Sequence, residues 1–198
     1  MQLRRKLEFF FDYASPYSYL ADQRLDGIRA RTGCELVHRP MLLGGVFKAT
    51  GNSSPAVEPV EAKRNYGMRE LQRFAALCDA PFQMNPHSPV NSLGIMRGAY
   101  AALAADVFST YHRTMFQAMW AKGEDLSDPA VCVKVLCGAG LEGEALLAAT
   151  AEPTIKESLK QTTEEAVARG VFGAPSFFVG DEMFFGNDRV EFVEESLS

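Results

Sequence analysis

The sequence predicts an α/β fold in which a helical block interrupts the chain between two parts of one sheet. A strand–helix–strand unit fills residues 7–40, about ninety residues without a good strand signal follow, and a helix–strand–strand–helix run closes the chain. We therefore expect residues 1–40 and 150–198 to form one discontinuous domain. Residues 41–149 are expected to form an all-helical domain inserted after the first β-α-β unit.

The first predicted strand covers residues 7–11, and its nearly continuous apolar character indicates burial on both faces. A helix is predicted over residues 16–32. Ser15 suits the N-cap, Pro16 the first helical position and Gly33 the residue after the end. A second strand is predicted over residues 35–39. A short return of this kind normally makes the two strands parallel and the crossover right-handed.

After Pro40 the composition changes. Residues 42–59 are rich in Gly, Ser and Pro, which predicts a loop or short turns. Apolar periodicity then predicts helices, and Ser92, Ser127 and Asp128 are plausible caps for them. These helices are expected at residues 61–77, 93–104, 106–121, 128–137 and 142–149.

The end of the chain returns to the sheet. A helix is predicted over residues 155–169, and two short apolar runs, 175–179 and 182–185, are separated by a Gly-Asp pair. That spacing predicts a β-hairpin. A last helix is expected to open at Asp188.

Composition limits the function. The chain has 198 residues, of which 47% are hydrophobic, so it can bury a sizeable core. A formal net charge of -5 argues against nucleic acid or an anionic membrane as the main partner. No apolar run is long enough for a membrane span or a signal-peptide core, so we expect a soluble cytoplasmic protein.

The cysteines and histidines show no spacing that is typical of a redox pair or a metal site. We expect buried reduced thiols and no bound metal. The cysteines are Cys34, Cys78, Cys132 and Cys137. The histidines are His38, His87 and His112.

The junction between the first strand and the first helix reads Ser15-Pro16-Tyr17-Ser18. A helix N-terminus attracts an anion and stabilises a thiolate. In thioredoxin-like oxidoreductases this junction carries a C-x-x-C pair, but here serine occupies both cysteine positions. The Ser15 hydroxyl could donate a hydrogen bond to the sulfur of another molecule. Alternatively, Ser15 is a helix cap and nothing more.

Two further segments surround the predicted hairpin. Pro175 directly precedes a core strand, where proline is unusual because it cannot donate to the sheet. In thioredoxin-like folds such a proline is cis, and the preceding backbone, here Ala174, pairs with a bound peptide backbone. A trans proline at a strand entry is the alternative. Asn187 and Asp188 follow the hairpin, where they could either cap the last helix or hold a ligand ammonium group.

The segment containing Lys48 and Asn52 lies between the predicted sheet and the helical block, and such interfaces often host small-molecule sites. Lys48 could bind a substrate carboxylate or be an ordinary surface lysine.

Together and in this order, these segments resemble the 2-hydroxychromene-2-carboxylate isomerases and the related kappa-class glutathione transferases. The resemblance covers essentially the whole chain. It implies a DsbA-like thioredoxin fold with a helical insertion, a homodimer, and glutathione as cofactor or cosubstrate. The segments that carry it are residues 10–21, Gly51-Asn52, residues 170–175 and residues 180–189.

The resemblance also implies roles for individual residues. Ser15 matches the family serine that hydrogen-bonds the glutathione sulfur, and Pro16 and Tyr17 follow it in the cofactor site. Ala174, before the presumed cis Pro175, matches the backbone that pairs with the cysteinyl group of glutathione.

Four more positions complete the implied site. Asn187 and Asp188 match the residues that hold the γ-glutamyl end, and Asn52 matches a loop asparagine near the ligand. Lys48 resembles a loop lysine that contacts the isomerase substrate.

The implied activity is isomerisation of 2-hydroxychromene-2-carboxylate to trans-o-hydroxybenzylidenepyruvate in aromatic catabolism. Glutathione thiolate adds to a conjugated double bond, the resulting single bond rotates, and elimination restores the double bond. Two alternatives stay open. One is a kappa-class-like glutathione transferase or peroxidase acting on another electrophile, and the other is a non-catalytic peptide-binding protein. A thiol oxidoreductase is disfavoured because Ser15 and Ser18 replace both cysteines.

Overall fold

The computed structural model describes residues 5–198. Its four-stranded sheet has the order β2-β1-β3-β4. Strand β1 is parallel to β2 and antiparallel to β3, and β3 is antiparallel to β4. This arrangement confirms the predicted α/β class, the parallel first unit and the terminal hairpin. The strands are β1 (Lys6–Phe11), β2 (Glu35–Pro40), β3 (Ser176–Val179) and β4 (Glu182–Phe185).

Helices account for most of the rest of the described chain. Between residues 60 and 149 the regular elements are helices and none is a strand, as predicted, and residues 78–92 form a connection without a helix. A π-helical turn, Gln117–Ala121, directly continues the fifth helix. The helices are α1 (Pro16–Thr32), α2 (Leu43–Thr50), α3 (Glu61–Leu77), α4 (Leu93–Ala104), α5 (Phe108–Phe116), α6 (Pro129–Gly138), α7 (Gly143–Ala149), α8 (Pro153–Ala168) and α9 (Val190–Ser196).

The sheet is covered on both faces, as the apolar first strand predicts. On one face the ring of Phe9 stacks on Phe11 and Phe177, with centroids 5.1 and 5.3 Å apart, and α1 and α5 pack over them. On the other face Phe10 and Phe178 form a smaller core with residues of α2 and α8. These two apolar layers fix the strand ends at which the candidate site lies.

Helix α2 replaces part of the loop predicted over residues 42–59. Val46 is fully buried in the smaller core and holds one face of α2 against the sheet. Gly45 allows close contact with α8, because a Cβ atom there would lie 3.1 Å from Cγ2 of Thr163. Gly45, one of the glycines that suggested a loop, therefore permits two helices to approach each other.

Two helix starts also differ from their predictions. Helix α5 begins at Phe108 rather than at residue 106, because Asp106 has a left-handed backbone with φ 57°. The last helix is preceded by a 3-10 turn, Asn187–Arg189, and α9 starts at Val190. Asp128 caps α6 as expected, since its carboxylate accepts the Ala130 amide at 2.8 Å. The other two predicted caps were wrong: the Ser92 side chain makes no capping hydrogen bond to α4, and the Ser127 hydroxyl donates to Asp125 instead.

All four cysteines are free thiols. Cys34 and Cys132 are buried and Cys78 is half-buried, but Cys137 is exposed, so the prediction of a buried thiol was wrong there. Burial raises the pKa of the Cys132 thiol to about 11, which keeps it protonated near neutral pH. None of the helices within residues 5–198 combines the length and the apolar character that a membrane span requires. The domain boundaries after residues 40 and 149 remain a prediction.

Candidate functional site

Ser15 is the N-cap of α1 and lies 4% exposed at the start of the helix. Its Oγ accepts a hydrogen bond from the Ser18 amide at 3.1 Å, so the predicted cap is present. The same hydroxyl donates to the carbonyl oxygen of Ala174 at 3.1 Å, which a simple cap would not require. The first turn of α1 contains no acidic residue, so nothing there opposes the positive end of the helix dipole.

The partner segment contains a cis peptide bond between Ala174 and Pro175, as the position before the strand suggested. Pro175 leads directly into β3, and its carbonyl oxygen accepts the Gly186 amide at 3.0 Å. Strand β3 thus brings the residues after β4 close to Ser15. Chain positions far apart in sequence meet at one end of the sheet.

Asn187 and Asp188 follow Gly186 in a single 3-10 turn. Asn187 is buried, and its carbonyl oxygen accepts a hydrogen bond from Arg24 of α1 at 3.4 Å. Asp188 is exposed and forms an ion pair with Arg189 at 2.5 Å. Gly186 has φ 104°, and a Cβ atom there would lie 2.4 Å from Oδ1 of Asp188, so this turn requires glycine.

Tyr17 lies between the N-terminus of α1 and helix α3. Its hydroxyl is 3.6 Å from the position that a Cβ atom would take at Gly67. Burial raises the pKa of Tyr17, and the negative charges of Glu70 and Asp188 raise it further. The phenol therefore stays protonated near neutral pH and remains a hydrogen-bond donor beside the Asp188 carboxylate.

Asn52 and Lys48 lie on the α2 side of the site. The Asn52 side-chain amide donates to the Phe172 carbonyl oxygen at 2.8 Å, which joins this segment to the approach to Pro175. The rings of Phe172 and Phe185 pack 4.4 Å apart, and both rings are exposed beside this contact. Lys48 lies on α2 rather than in a loop, so its predicted setting was wrong. Its exposed ammonium group contacts no acceptor within residues 5–198, and its substrate role remains a prediction.

Asp12 organises the site and was not singled out from the sequence. Its fully buried carboxylate accepts the Ala14 amide on Oδ1 at 2.9 Å. Oδ2 accepts the Leu43 amide at 2.8 Å and the Ser92 hydroxyl at 2.9 Å. One side chain therefore fixes the turn before Ser15 and the starts of α2 and α4.

Burial raises the pKa of Asp12, while its three hydrogen-bond donors act in the opposite direction. The available sequence signal was a single acidic residue at the end of an apolar strand. Its partners lie up to 80 positions away, so spacing could not identify them.

A cavity of about 530 Å³ lies apart from these residues, between α2, α4 and α8. Its lining includes Leu42, Leu93 and Leu159 but none of the predicted site residues. The candidate site at the N-terminus of α1 is therefore separate from this cavity.

Although the histidines show no metal-site spacing in the sequence, two of them lie together in the structure. The nitrogens of His38 and His112 and a carboxylate oxygen of Asp22 all lie within 4.8 Å of one another. His87 is separate and lies 3.7 Å from Asp125. Sequence spacing missed this group because a strand and two helices contribute one member each.

The fold and the site together define a thioredoxin-like protein in which serines occupy both redox-cysteine positions. Residues 6–198 match the family model described as DSBA-like thioredoxin domain. The chain belongs to the DSBA-like thioredoxin family and, within it, to the family of the 2-hydroxychromene-2-carboxylate isomerases.

Full-length similarities support this placement. The chain is 32% identical over 198 residues to the 2-hydroxychromene-2-carboxylate isomerase of Sphingobium xenophagum, covering 98% of this chain and 99% of that protein. It is 29% identical to human glutathione S-transferase kappa 1, covering 98% and 92% of the two chains. A solved structure of a 2-hydroxychromene-2-carboxylate isomerase superposes with a TM-score of 0.84 at 30% identity, covering 96% of this chain and 93% of that one.

Proposed function

We propose that this protein is a glutathione-dependent isomerase that interconverts 2-hydroxychromene-2-carboxylate and trans-o-hydroxybenzylidenepyruvate, or a related electrophile of aromatic catabolism. The observation that carries the proposal is the Ser15 hydroxyl, which lies at the N-terminus of α1 and contacts the backbone before Pro175. Full-length similarity to proteins named for this isomerisation supports it.

The residues at the N-terminus of α1 are suited to binding glutathione, which is a tripeptide with a thiol group. The positive end of α1 and the Ser15 hydroxyl favour a thiolate. Ala174 lies just before β3. Its backbone can therefore hydrogen-bond to a bound peptide in the way that a strand pairs with a neighbouring strand. The Asp188 carboxylate, with Tyr17 near it, offers an anionic partner for an ammonium group.

Bound glutathione would supply a thiolate that adds reversibly to the conjugated double bond of the substrate. The chain supplies placement and charge stabilisation. The hydroxyl hydrogen of Ser15 has two competing acceptors, because the Ala174 carbonyl receives it in the structure. Ser15 must rotate this hydrogen away from Ala174 to donate to sulfur, and a peptide N–H then satisfies the Ala174 oxygen.

The exposed pair of Phe172 and Phe185 supports an aromatic substrate. These rings lie next to the Pro175 segment and could stack on a planar ring. Lys48 would bind the substrate carboxylate, since its ammonium group is exposed on α2. Asn52 would hold the segment after α2 against Phe172.

Conjugation or reduction of a different electrophile is the second candidate, since human glutathione S-transferase kappa 1 is similar over nearly the whole chain. The same residues would hold the glutathione thiolate in both cases. Only the acceptor of the sulfur would differ.

A spectrophotometric isomerase assay with and without glutathione tests the proposal. We expect turnover of 2-hydroxychromene-2-carboxylate only with glutathione. S-methylglutathione, which has no free thiol, should bind in calorimetry without supporting turnover. Glutathione binding without isomerisation would favour the second candidate, and no glutathione binding would contradict both.

A further inference from the structure

Three side chains of metal-ligating type meet beneath α1, away from the Ser15 site. Asp22 lies on α1, His38 on β2 and His112 on α5. Nε2 of His112 is 2.8 Å from Oδ1 of Asp22, and Nε2 of His38 is 3.9 Å from the same oxygen. All three ligand atoms lie within 4.8 Å of one another. Asp22 lies about two helical turns beyond Ser15 on α1, so this group is distinct from the proposed glutathione site.

The spacing suits a single small cation. Zinc binds imidazole nitrogen and carboxylate oxygen at about 2.0–2.2 Å, so neighbouring ligands of a tetrahedral site lie roughly 3.3 Å apart. The two distances to Asp22 fall on either side of that value. All three ligand atoms lie within 4.8 Å of one another, so side-chain shifts of about 1 Å would bring them to one ion.

The surroundings hold the two imidazoles in place. The ring of His38 packs against Phe9 and Phe108, and the ring of His112 packs against Phe11 and Phe108, with centroids 4.8 to 6.0 Å apart. Regular secondary structure carries every ligand, which restricts their movement. Such a rigid frame favours metal binding, because the ligand side chains lose little conformational freedom when the ion binds.

Tyr13 provides the outer contact that metal-bound histidines usually have. Its hydroxyl lies 3.1 Å from Nδ1 of His112. A metal at Nε2 requires the ring proton on Nδ1, where it donates to the Tyr13 oxygen. The ligand nitrogen of His112 is thereby directed towards Asp22.

The group is also accessible. The side chains of Asp22 and His38 are 17% and 23% exposed, whereas His112 is 8% exposed. An ion could enter from the side of His38, and water could occupy a fourth position. We propose that Asp22, His38 and His112 form a binding site for a divalent transition-metal ion of the zinc type, with one position open to solvent.

Such an ion would join α1 and β2 to α5. Because binding to the folded state alone stabilises it, zinc should raise the melting temperature of the protein. This consequence does not depend on glutathione or on isomerase activity.

Calorimetric titration of the chelator-treated full-length protein with zinc chloride tests the proposal. We expect the wild type to bind about one equivalent and to gain melting temperature. Asp22→Asn and His38→Ala should each weaken zinc binding by more than about 100-fold, and Tyr13→Phe by about 10-fold. His87→Ala is the matched control, because it removes the one histidine outside the group, and its binding should equal that of the wild type.

Circular dichroism shows whether each variant is folded. Asp22→Asn keeps the side-chain shape, so it still tests the site if His38→Ala does not fold. The proposal is overturned if the wild type binds no zinc, or if His87→Ala loses as much affinity as His38→Ala. It is also overturned if folded Asp22→Asn binds zinc as tightly as the wild type, since the thiols would then be the ligands.

Discussion

The hydroxyl of Ser15 donates a 3.1 Å hydrogen bond to the carbonyl oxygen of Ala174, which lies 159 positions away in the sequence. This bond joins the N-terminus of α1 to the cis peptide before β3. Ser15 therefore does more than cap a helix. Its hydroxyl also links the start of α1 to the backbone that precedes Pro175.

Replacing Ser15 with alanine should remove most glutathione-dependent turnover. The variant loses the donor proposed for the sulfur, and loss of one positioned donor typically costs about 100-fold or more in rate. It also loses the N-cap, so the free energy of unfolding should fall by about 1 kcal/mol. Steady-state kinetics and urea denaturation measure the two effects separately.

Ser18→Ala is the matched control for this experiment. The Ser18 hydroxyl is fully buried and has no hydrogen-bond partner within residues 5–198, while its amide still donates to Ser15. We expect Ser18→Ala to keep its turnover and its stability. Near-normal turnover in a folded Ser15→Ala protein would contradict the proposed role of the hydroxyl.

Asp12→Asn should lower the free energy of unfolding by about 2–3 kcal/mol. Both oxygens of the buried Asp12 carboxylate accept hydrogen bonds, and an asparagine has only one acceptor oxygen. Its amide group would face a donor. Urea denaturation at neutral pH measures the loss.

Asp128→Asn makes the same substitution where it should be harmless. Asp128 accepts one amide at the start of α6, and asparagine caps a helix as well as aspartate does. Equal destabilisation by the two substitutions would show that Asp12 does not organise the site in the way that its contacts indicate.

Local patterns predicted most of the fold. The apolar run before Asp12 and the proline after Ser15 predicted β1 and α1 because these signals act between near neighbours in the chain. Helix α2 was missed for a tertiary reason. Gly44 and Gly45 lower its helix propensity, but Gly45 also allows close contact with α8, and burial of Val46 outweighs the cost.

The candidate site was likewise predictable where it depends on local patterns and not where it depends on tertiary contacts. The sequence could indicate Ser15, Pro175 and Asp188, because each lies next to a strand end or helix end that local patterns predict. The contacts of Asp12 and the meeting of His38 with His112 depend on how helices pack over the sheet. No short spacing encodes such long-range contacts, so the sequence could not reveal them.

Asp188→Asn should weaken glutathione binding by roughly fivefold to tenfold, or about 1 kcal/mol. The substitution removes the negative charge of Asp188, the proposed partner of the ligand ammonium group, and keeps the shape of the side chain. Calorimetric titration with glutathione measures the change. Asp181→Asn is the control, because Asp181 is exposed in the turn between β3 and β4, and it should bind glutathione like the wild type. Equal affinity for folded Asp188→Asn and the wild type would exclude this role.

Glu8→Gln should destabilise the protein near neutral pH but not in acid. Burial acts to raise the pKa of Glu8, but the hydrogen bond from Arg169 at 3.0 Å and the charges of Arg169, Lys6 and Arg39 outweigh it, so the pKa lies below its ordinary value. A carboxyl group whose pKa is lowered by folding stabilises the fold above its unfolded pKa and loses that contribution as the pH falls through the folded value. We expect the free energies of unfolding of wild type and variant to differ by about 1 kcal/mol at neutral pH and to converge towards about pH 3.

Melting temperatures across this pH range test the prediction. Glu35→Gln is the control, because Glu35 is exposed on β2, and this variant should behave like the wild type. A constant difference between wild type and Glu8→Gln at all pH values would mean that packing, rather than the carboxylate charge, accounts for the contribution of Glu8.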